Sequence, residues 1–324
     1  PMTVEELVSY GSMGIFALGT TLNIIFIYII RNGTRNGVSH VYKNIMTCFA
    51  ICNIAFSTTG FITKPGNHTY GTSQITFCKG VFHRMKPWGF LWLCLFIGVY
   101  GLNTALLALH FVYRYIIVCR QQLSHIFQET SSVVVVILSV LLWGFIYSLI
   151  TFVCFAANEG CYEYVNPSFY ARFGEDLHNL SFICVFTHKV EPNTTTIYWL
   201  PTIGMGLNFT MMIVTFALMF FCGFEIYRAL KNPSMSKKTK HLQTQLLKAV
   251  AIQAIIPFFT TYLSRAVMYT NVIVGLPPLS AYAFTPLVIS IYTVIDPIAI
   301  MFFVCDLRLI VNNLKRIMQT IFCL

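Results

Sequence analysis

The chain has 324 residues, of which 56% are hydrophobic and only 10% are charged. A soluble domain carries about 25% charged residues, so this composition excludes an ordinary soluble protein and favours a membrane protein. The net charge of +10 would suggest nucleic acid in a soluble protein. Here the basic residues concentrate between apolar stretches, so we expect contact with membrane lipids and no nucleic-acid partner.

Seven separate stretches are each long and apolar enough to cross a bilayer. A helix rises about 1.5 Å per residue, so roughly 20 residues cover the hydrocarbon core. The predicted spans cover approximately residues 7–30, 44–63, 87–113, 130–156, 197–224, 246–270 and 282–304. No duplicated half and no linker divides the chain, so we predict one all-α domain over residues 1–324. Its fold class is a seven-transmembrane helix bundle.

The distribution of basic residues predicts how the bundle is oriented. Most of the 21 basic residues fall in segments that face the cytoplasm when the N-terminus is outside, which is the positive-inside pattern. On that topology, Asn-X-Ser/Thr glycosylation sequons at Asn67, Asn179 and Asn193 all lie outside. The predicted location is therefore the plasma membrane, with the C-terminus in the cytosol.

The cysteines and the C-terminal segment give two further expectations. Cys78, Cys161 and Cys184 lie in predicted outer loops, where oxidation is favoured, and because three is odd at most one pair forms among them. The sequence does not choose the pair.

Apolar residues recur at helical spacing over residues 306–322, which predicts a short amphipathic helix on the inner leaflet. Cys323 follows it and is either a palmitoylation site or an unmodified thiol.

Charged residues inside the spans are costly, and they therefore mark candidate functional positions. Asp296 is too deep to be a surface acid, and we expect its partner to be Asn53 or Asn103. Such a cluster either fixes the packing or acts as an activation switch whose hydrogen bonds rearrange. Arg265 lies nearer the outer end of the sixth span, where it either reaches the lipid headgroups or lines a ligand entrance.

Two intramembrane prolines are candidate hinges. Pro257 lies in the sixth predicted span and Pro297 in the seventh. Each removes a backbone hydrogen bond and tends to kink its helix, either to permit movement or merely to adjust packing.

The sequence lacks the residues that several classes of enzyme need for catalysis. The spans hold no second deep aspartate for a two-aspartate protease, and the chain has no His-Glu-X-X-His sequence and no phosphate-binding loop. A retinal protein needs a seventh-span lysine, and that span has none. We therefore expect no catalytic residue, no metal and no cofactor.

Several motifs resemble those of one receptor family. The third span ends in HFVYRY at residues 110–115, the sixth opens with LQTQLLKA at 242–249, and the seventh ends in IDP at 295–297. In these motifs, and along nearly the whole chain, the sequence resembles the nematode serpentine chemoreceptors of the Str type, which include the diacetyl odorant receptor. The resemblance implies a G-protein-coupled olfactory receptor in the ciliary membrane of a chemosensory neuron. It implies a small-molecule odorant and a heterotrimeric G protein as partners.

The chain departs from the rhodopsin-like pattern at three positions. Tyr113 precedes Arg114 where that pattern has an acid, and Asp296 stands where it has asparagine. Gly89 occupies the position of the third-span cysteine. The usual disulfide from the third span to the second outer loop is therefore in question.

The resemblance and the residue pattern together predict a ligand site among the outer halves of the third, fifth, sixth and seventh spans. Four third-span residues share one helical face at i, i+3, i+4 and i+7 spacing, and aromatic residues elsewhere complete the lining. The predicted set is Trp88, Leu91, Trp92, Leu95, Tyr198, Phe258, Tyr262, Arg265, Tyr282 and Phe284. The alternative for each residue is lipid contact or core packing. The expected ligand is small and mostly apolar.

The cytoplasmic ends supply the predicted G-protein contacts. Arg114 and Tyr113 end the third span, and Lys237, Lys238 and Lys240 lead into the sixth. The alternative for the lysines is ordinary positive-inside charge. Two rival functions remain at this point: an odorant-gated ion channel of inverted topology, and a membrane transporter.

Overall fold

The structure is a computed structural model that describes residues 4–32, 39–192, 194–231, 236–275 and 284–304. Seven helical segments in these ranges are long and apolar enough to cross a membrane, which confirms the predicted bundle. The helices are α1 (Val4–Asn32), α2 (His40–Thr63), α3 (Trp88–Cys119), α4 (Thr130–Cys154), α5 (Glu159–Phe173), α6 (Trp199–Leu230), α7 (Lys237–Pro257), α8 (Leu263–Val274), α9 (Thr285–Ser290) and α10 (Tyr292–Val304). The sixth span is α7 followed by α8, and the seventh is α9 followed by α10. The segment 306–322 and Cys323 lie outside the described residues.

Polar caps extend two spans beyond their apolar stretches. The Ser39 hydroxyl accepts a hydrogen bond from the Tyr42 amide at 3.2 Å, so α2 begins at His40, ahead of the predicted residue 44. The Ser236 hydroxyl likewise accepts from the Thr239 amide at 3.2 Å and starts α7 at Lys237. Serine at this position satisfies a backbone amide that the helix leaves unpaired. Hydropathy alone misses such polar first turns.

The third span is the centre of the bundle, and the fourth lies at its edge. In the most apolar window of each helix, 61% of the residues of α3 are buried, against 17% of those of α4. Helix α3 packs against α2, α4, α6 and α7. Residues along α3 can therefore sense movement of several spans, while α4 mainly faces lipid.

The sixth and seventh spans are irregular near their prolines. Pro257 ends α7, and the chain continues as a π turn over Phe258–Tyr262 before α8 begins. Proline removes a backbone donor and crowds the preceding turn, and a π turn relieves this by widening the helix locally. The seventh span breaks at Ile291, between α9 and α10 and nearly two turns before Pro297.

A β-sheet covers one end of the bundle and was not part of the all-α prediction. Strands β1 (Pro65–Tyr70), β2 (Ser73–Cys78) and β3 (Phe182–Phe186) form an antiparallel sheet, with β2 in the centre. A separate hairpin joins β4 (His188–Glu191) to β5 (Thr194–Ile197). The three-stranded sheet connects the loop before α3 with the loop before α6, so two outer loops fold as one unit. We call this end of the bundle the sheet end.

The sheet end has its own aromatic core and a covalent tie. Helix α5 packs on the sheet through a cluster that includes Val165, Phe169 and Phe186. Cys161 and Cys184 form a disulfide, which fixes the pair that the sequence left open. Cys78 remains a free thiol and is buried. This end therefore has a core and a covalent tie of its own, in addition to its contacts with the helices below it.

The sheet also meets the start of α3 at Gly89. A Cβ atom built there would lie 2.5 Å from the Phe82 carbonyl oxygen and 2.5 Å from the Ser181 Cβ, so only glycine fits. Ser181 immediately precedes β3. A close contact thus stands where rhodopsin-like receptors join this helix to the second outer loop by a disulfide.

Candidate functional site

A cavity of about 60 Å³ lies between the sheet and the helices. All three strands of the sheet contribute to its lining, as do α3, α4, α6, α8 and α9. The walls are mostly apolar, with a few polar groups. The lining includes Asn67, Gln74, Phe96, Ile97, Val185, Asn208, Arg265, Met268, Tyr269 and Ile289.

Three polar side chains of this cavity have atoms that are buried without a hydrogen-bond partner among the described residues. They are the Nε atom of Arg265, the Oε1 atom of Gln74 and the Oδ1 atom of Asn208. Buried polar groups are satisfied in the great majority of cases. A cluster of such atoms around one cavity makes this cavity a candidate binding site for a polar ligand.

Arg265 points into the bundle and does not reach out to the lipid headgroups. Its guanidinium carbon lies 4.6 Å from the centre of the Tyr100 ring. Tyr269 is within hydrogen-bonding reach of the guanidinium, and Tyr147 is a further electrostatic neighbour. None of the ion pairs between described residues includes Arg265. Tyrosine rings and hydroxyls therefore surround this charge, with no carboxylate beside it.

Three of the four residues predicted from the third span do not line this cavity. Trp88, Leu91 and Leu95 are exposed on the surface of the bundle and do not line the cavity. The neighbouring residues Phe96 and Ile97 line it instead. The spacing correctly identifies one helical face, but in a membrane the lipid-facing and core-facing sides are both apolar. Periodicity alone cannot tell them apart.

The remaining predicted aromatic residues pack elsewhere. Trp92 stacks on Phe82 at 5.6 Å, and Tyr198 stacks on Phe186 of the sheet-end core at 4.4 Å. These contacts occupy their rings without placing them in the cavity.

The same holds for the residues predicted from the sixth and seventh spans. Phe258 stacks on Phe216 at 4.9 Å and lines an apolar groove of about 370 Å³ between α6 and α7, while Tyr262 is buried beside Phe216. Phe284 immediately precedes α9 and does not line the cavity, and Tyr282 lies outside the described residues. Of the predicted set, Arg265 is the one described residue that lines the cavity.

Sequence reasoning missed Gln74, Asn208 and Tyr269. Asn208 is an amide side chain in a predicted span that contains no charged residue. The sequence alone could therefore have indicated it as a candidate functional position. Gln74 lies on β2 and reaches the cavity only because the sheet folds over the helices, so no local pattern could have found it.

A second, larger cavity of about 440 Å³ lies between α1, α2, α9 and the sheet. Lys64, Lys79 and Arg172 contribute to its lining. Asn67, a predicted glycosylation site, lies on β1 between the two cavities, and its Oδ1 accepts a hydrogen bond from the Thr76 hydroxyl at 2.7 Å.

The other two predicted glycosylation sites have different positions. Asn179 is exposed in a short 3₁₀ turn at the sheet end. Asn193 lies outside the described residues.

Asp296 lies at the centre of a buried hydrogen-bond network. Its Oδ2 accepts from the Asn53 side-chain amide at 3.2 Å, which confirms one of the two predicted partners. Gln253 donates to the same oxygen at 3.4 Å and was missed. The prediction for Asn103 is wrong, because its amide donates to the Tyr292 hydroxyl at 2.8 Å. The network therefore joins α2, α7 and α10 at one carboxylate oxygen.

Asn23 extends this network to the first span. Its side-chain amide donates to the Thr293 carbonyl at 2.8 Å. Thr293 is four residues before Pro297, so proline has removed the helical donor that this carbonyl would otherwise have. Asn23 supplies the replacement, and Ser57 contacts the Thr293 hydroxyl at 3.1 Å. The irregular part of the seventh span is thus held by polar groups of the first two spans.

The far end of α3 carries a second buried guanidinium. Arg114 is 26 residues beyond Trp88, or about 39 Å along the helix. It is 3% exposed, and one guanidinium nitrogen donates to the Gln243 carbonyl of α7 at 3.1 Å. Its Nε has no partner among the described residues. We call this the Arg114 end; here the hydrogen bond to Gln243 and the apolar cluster that contains Ile116 and Leu246 join the third and sixth spans.

The other residues predicted for this end lie around Arg114. The Tyr113 hydroxyl is 2.6 Å from that of Ser39 at the start of α2. Lys237 is exposed and Lys240 partly buried in the first turns of α7. Lys238 lies between them, but its side chain is outside the described part of the structure. Across the described ranges, no group of three His, Cys, Asp or Glu side chains could hold a metal ion.

Comparison with known proteins agrees with this architecture. The family model described as serpentine type 7TM GPCR chemoreceptor Str matches residues 9–312. The chain is 23% identical over 304 residues to serpentine receptor class r-10 of Caenorhabditis elegans, covering 91% of this chain and 88% of that protein. It is 22% identical over 306 residues to G-protein coupled receptor str-33 of the same organism, covering 92% and 88%. This multi-pass membrane protein therefore belongs to the Str family of serpentine seven-transmembrane chemoreceptors, as its motifs suggested.

Proposed function

We propose that this receptor binds a small odorant in the cavity under the sheet and activates a heterotrimeric G protein at the Arg114 end. The sheet end then faces outside and the Arg114 end faces the cytosol. The observation that carries the proposal is the buried Arg114 guanidinium, which joins α3 to α7 through the Gln243 carbonyl. A buried charge held by one neutral acceptor is released readily if the two helices separate.

The sixth span provides the mechanical link between the two ends. Its outer part, α8, contributes Arg265 and Tyr269 to the cavity, and its inner part, α7, carries the acceptor for Arg114. Pro257 and the π turn separate these parts and are the candidate hinge. A ligand shifts the receptor only through different affinity for its two states. An odorant that favours another position of α8 therefore moves α7 away from Arg114 and exposes that charge to the G protein.

The Asp296 network supports a two-state mechanism. Gln253 lies on α7, and its hydrogen bond to Asp296 of α10 at 3.4 Å crosses between the two irregular spans. Movement of α7 must rearrange this contact, which makes Asp296 the centre of the candidate activation switch, with Pro297 beside it in α10. Asn103 joins the candidate switch only through its hydrogen bond to Tyr292 at the start of α10. The alternative is a cluster that only fixes the packing. Basal signalling of an Asp296→Asn variant distinguishes the two roles.

The finer assignments follow from the family and from the orientation. Serpentine chemoreceptors of the matched family support a role in chemical sensing, and we propose olfaction, with the ciliary membrane of a chemosensory neuron as the location. The exposed Asn179 is the most accessible described sequon for glycosylation. The described lysines Lys237 and Lys240 border the G-protein surface.

A variant of Arg114 tests this function. Cells expressing the receptor are given a panel of small volatile compounds, and intracellular calcium or cyclic nucleotide is recorded. We expect Arg114→Ala to abolish the response while leaving ligand binding within about threefold, because Arg114 lies about 39 Å from the start of α3. Arg228→Ala is the matched control, since Arg228 is an exposed arginine at the end of α6. An unchanged response in Arg114→Ala would contradict the proposed role.

A further inference from the structure

We propose that the cavity under the sheet takes a short-chain carboxylate whose negative charge pairs with Arg265. This inference rests on the proposed function, because it names the chemical class of ligand for the same cavity. It differs from the sequence-based expectation of a mostly apolar ligand.

The first argument is the unbalanced charge of Arg265. An arginine side chain stays protonated, so the cavity always holds one positive charge. Its neighbours are the Tyr100 ring at 4.6 Å and the hydroxyl of Tyr269, and no described carboxylate pairs with it. A ring face and a neutral hydroxyl recover only part of the hydration that a guanidinium loses inside a membrane bundle. A bound anion would supply the missing counter-charge.

The second argument is the composition of the lining. The described lining contains no aspartate and no glutamate, so no acidic side chain in it repels an anion. Gln74 and Asn208 line the same space, and the side-chain oxygen of each is buried without a partner among the described residues. The oxygen and nitrogen of a side-chain amide are nearly indistinguishable, so either group can turn its NH₂ toward a ligand oxygen. One guanidinium and two amides then provide donors for both oxygens of a carboxylate.

The third argument is size. One water-sized group needs about 10–15 Å³ by the same measure, so a cavity of about 60 Å³ has room for roughly four to six such groups. Phe96, Ile97 and Ile289 provide an apolar wall. This space suits a carboxylate with a tail of one to three carbons and excludes a long amphiphile.

The experiment uses purified full-length receptor in nanodiscs of zwitterionic lipid. Binding of acetate, propionate and butyrate is titrated by saturation-transfer NMR, alongside the methyl ester of each acid and the primary alcohol of equal length. Wild type is compared with Arg265→Gln, Arg265→Lys and Lys64→Gln. Lys64 is the matched control, because it is a cation at the sheet end that lines the other cavity.

We expect the carboxylates to bind wild type more tightly than their esters and alcohols. Arg265→Gln should weaken carboxylate binding by about 10- to 100-fold, the usual value of a hydrogen-bonded charge, and should change alcohol binding by less than about threefold. Arg265→Lys should retain part of the preference because it keeps the charge but loses the fork of donors. Lys64→Gln should behave as wild type.

Two results would overturn the inference: equal binding of acids and esters by wild type, or an equal loss in Arg265→Gln and Lys64→Gln. If Arg265→Gln does not fold, the comparison of acids with esters on wild type and the binding to Arg265→Lys still test whether the cavity prefers a carboxylate. Nucleotide exchange on a purified G protein is measured separately. Carboxylate binding without exchange would support this inference and contradict the proposed function. Nucleotide exchange driven by a neutral odorant, without carboxylate binding, would contradict this inference and support the proposed function.

Discussion

An arginine marks each end of this bundle, Arg114 buried and Arg265 partly buried, and the two differ in what surrounds them. Arg114 donates to the Gln243 carbonyl, so the protein itself occupies its guanidinium and joins α3 to α7. Arg265 lies beside a cavity, with Tyr100 under its guanidinium and an Nε atom that has no partner among the described residues. Each guanidinium has an Nε atom without a partner among the described residues, so the two differ in their neighbours: Arg114 bonds a backbone carbonyl of another span, while Arg265 borders a cavity in which we propose that a ligand supplies the counter-charge.

The two ends also differ in how firmly they are held. The sheet end has a disulfide, a sheet and an aromatic core of its own. At the Arg114 end, the third and sixth spans meet through apolar packing and a hydrogen bond to a backbone carbonyl, and the structure describes no disulfide or sheet there. A firm binding end and a loosely closed signalling end suit a receptor, since the cavity stays preformed while α7 moves.

The strongest test of this comparison is the network that lies between the two ends. Asp296→Ala removes the shared acceptor of Asn53 and Gln253 and leaves two buried donors unpaired, at about 1–3 kcal/mol each. We expect a total loss of about 2–5 kcal/mol in the free energy of unfolding, measured by thermal denaturation in detergent. Asp296→Asn keeps an acceptor oxygen and removes a buried charge, so its loss should be below about 1 kcal/mol.

The same pair of variants separates a switch from a packing cluster. If the network is a switch, Asp296→Asn changes basal signalling even though the fold is intact, because its hydrogen bonds to the moving α7 are weaker. Equal stability of the alanine and asparagine variants would contradict the hydrogen-bond account. Unchanged basal signalling in a stable Asp296→Asn would leave only the packing role.

The next largest effect concerns the firmness of the sheet end. Cys161 and Cys184 are 23 residues apart, and closing a loop of this length by a disulfide stabilises a fold by about 3 kcal/mol in the chain-entropy treatment. We therefore expect Cys161→Ala to lower the free energy of unfolding by about that amount and to weaken ligand binding. Cys78→Ala is the control, because Cys78 is buried in the same region but forms no disulfide. Equal behaviour of the two variants would show that the covalent tie does not make this end firm.

The smallest predicted effect is the pH dependence of the sheet end. Burial, with the nearby charge of Arg172, lowers the pKa of His68 from 6.5 to about 4. The unfolded chain therefore takes up a proton first, and stability should fall as the pH drops from 6.5 to about 4 and then level off. We expect a loss of about 1 kcal/mol after allowance for solvent screening.

The measurement is the melting temperature of wild type minus that of His68→Gln between pH 7.5 and pH 4. Glutamine is matched in polarity and keeps a side chain that can bond Ser168, which His68 contacts at 3.2 Å. The difference between the two proteins removes the contribution of other titrating groups. A difference that does not vary with pH would mean that water reaches the interior of the sheet end.

Much of the fold follows from local sequence, but the binding site does not. The spans follow from the lengths of apolar stretches, and the buried partner of Asp296 follows from its depth in a helix. The pairing of Thr76 with Ile183 joins residues more than a hundred positions apart, so the sheet and its cavity depend on contacts that no local pattern records. Trp88 and Leu95 show the second limit, since lipid and protein interior select the same side chains.

Coupling between the two ends is tested most directly by the affinity of an activating compound for purified receptor, measured with and without nucleotide-free heterotrimeric G protein. Binding at two coupled sites must be reciprocal, so a G protein at the Arg114 end should tighten ligand binding under the sheet. We predict an increase of about 5- to 150-fold in wild type and none in Arg114→Ala. An affinity in wild type that is the same with and without the G protein would contradict coupling between the two ends.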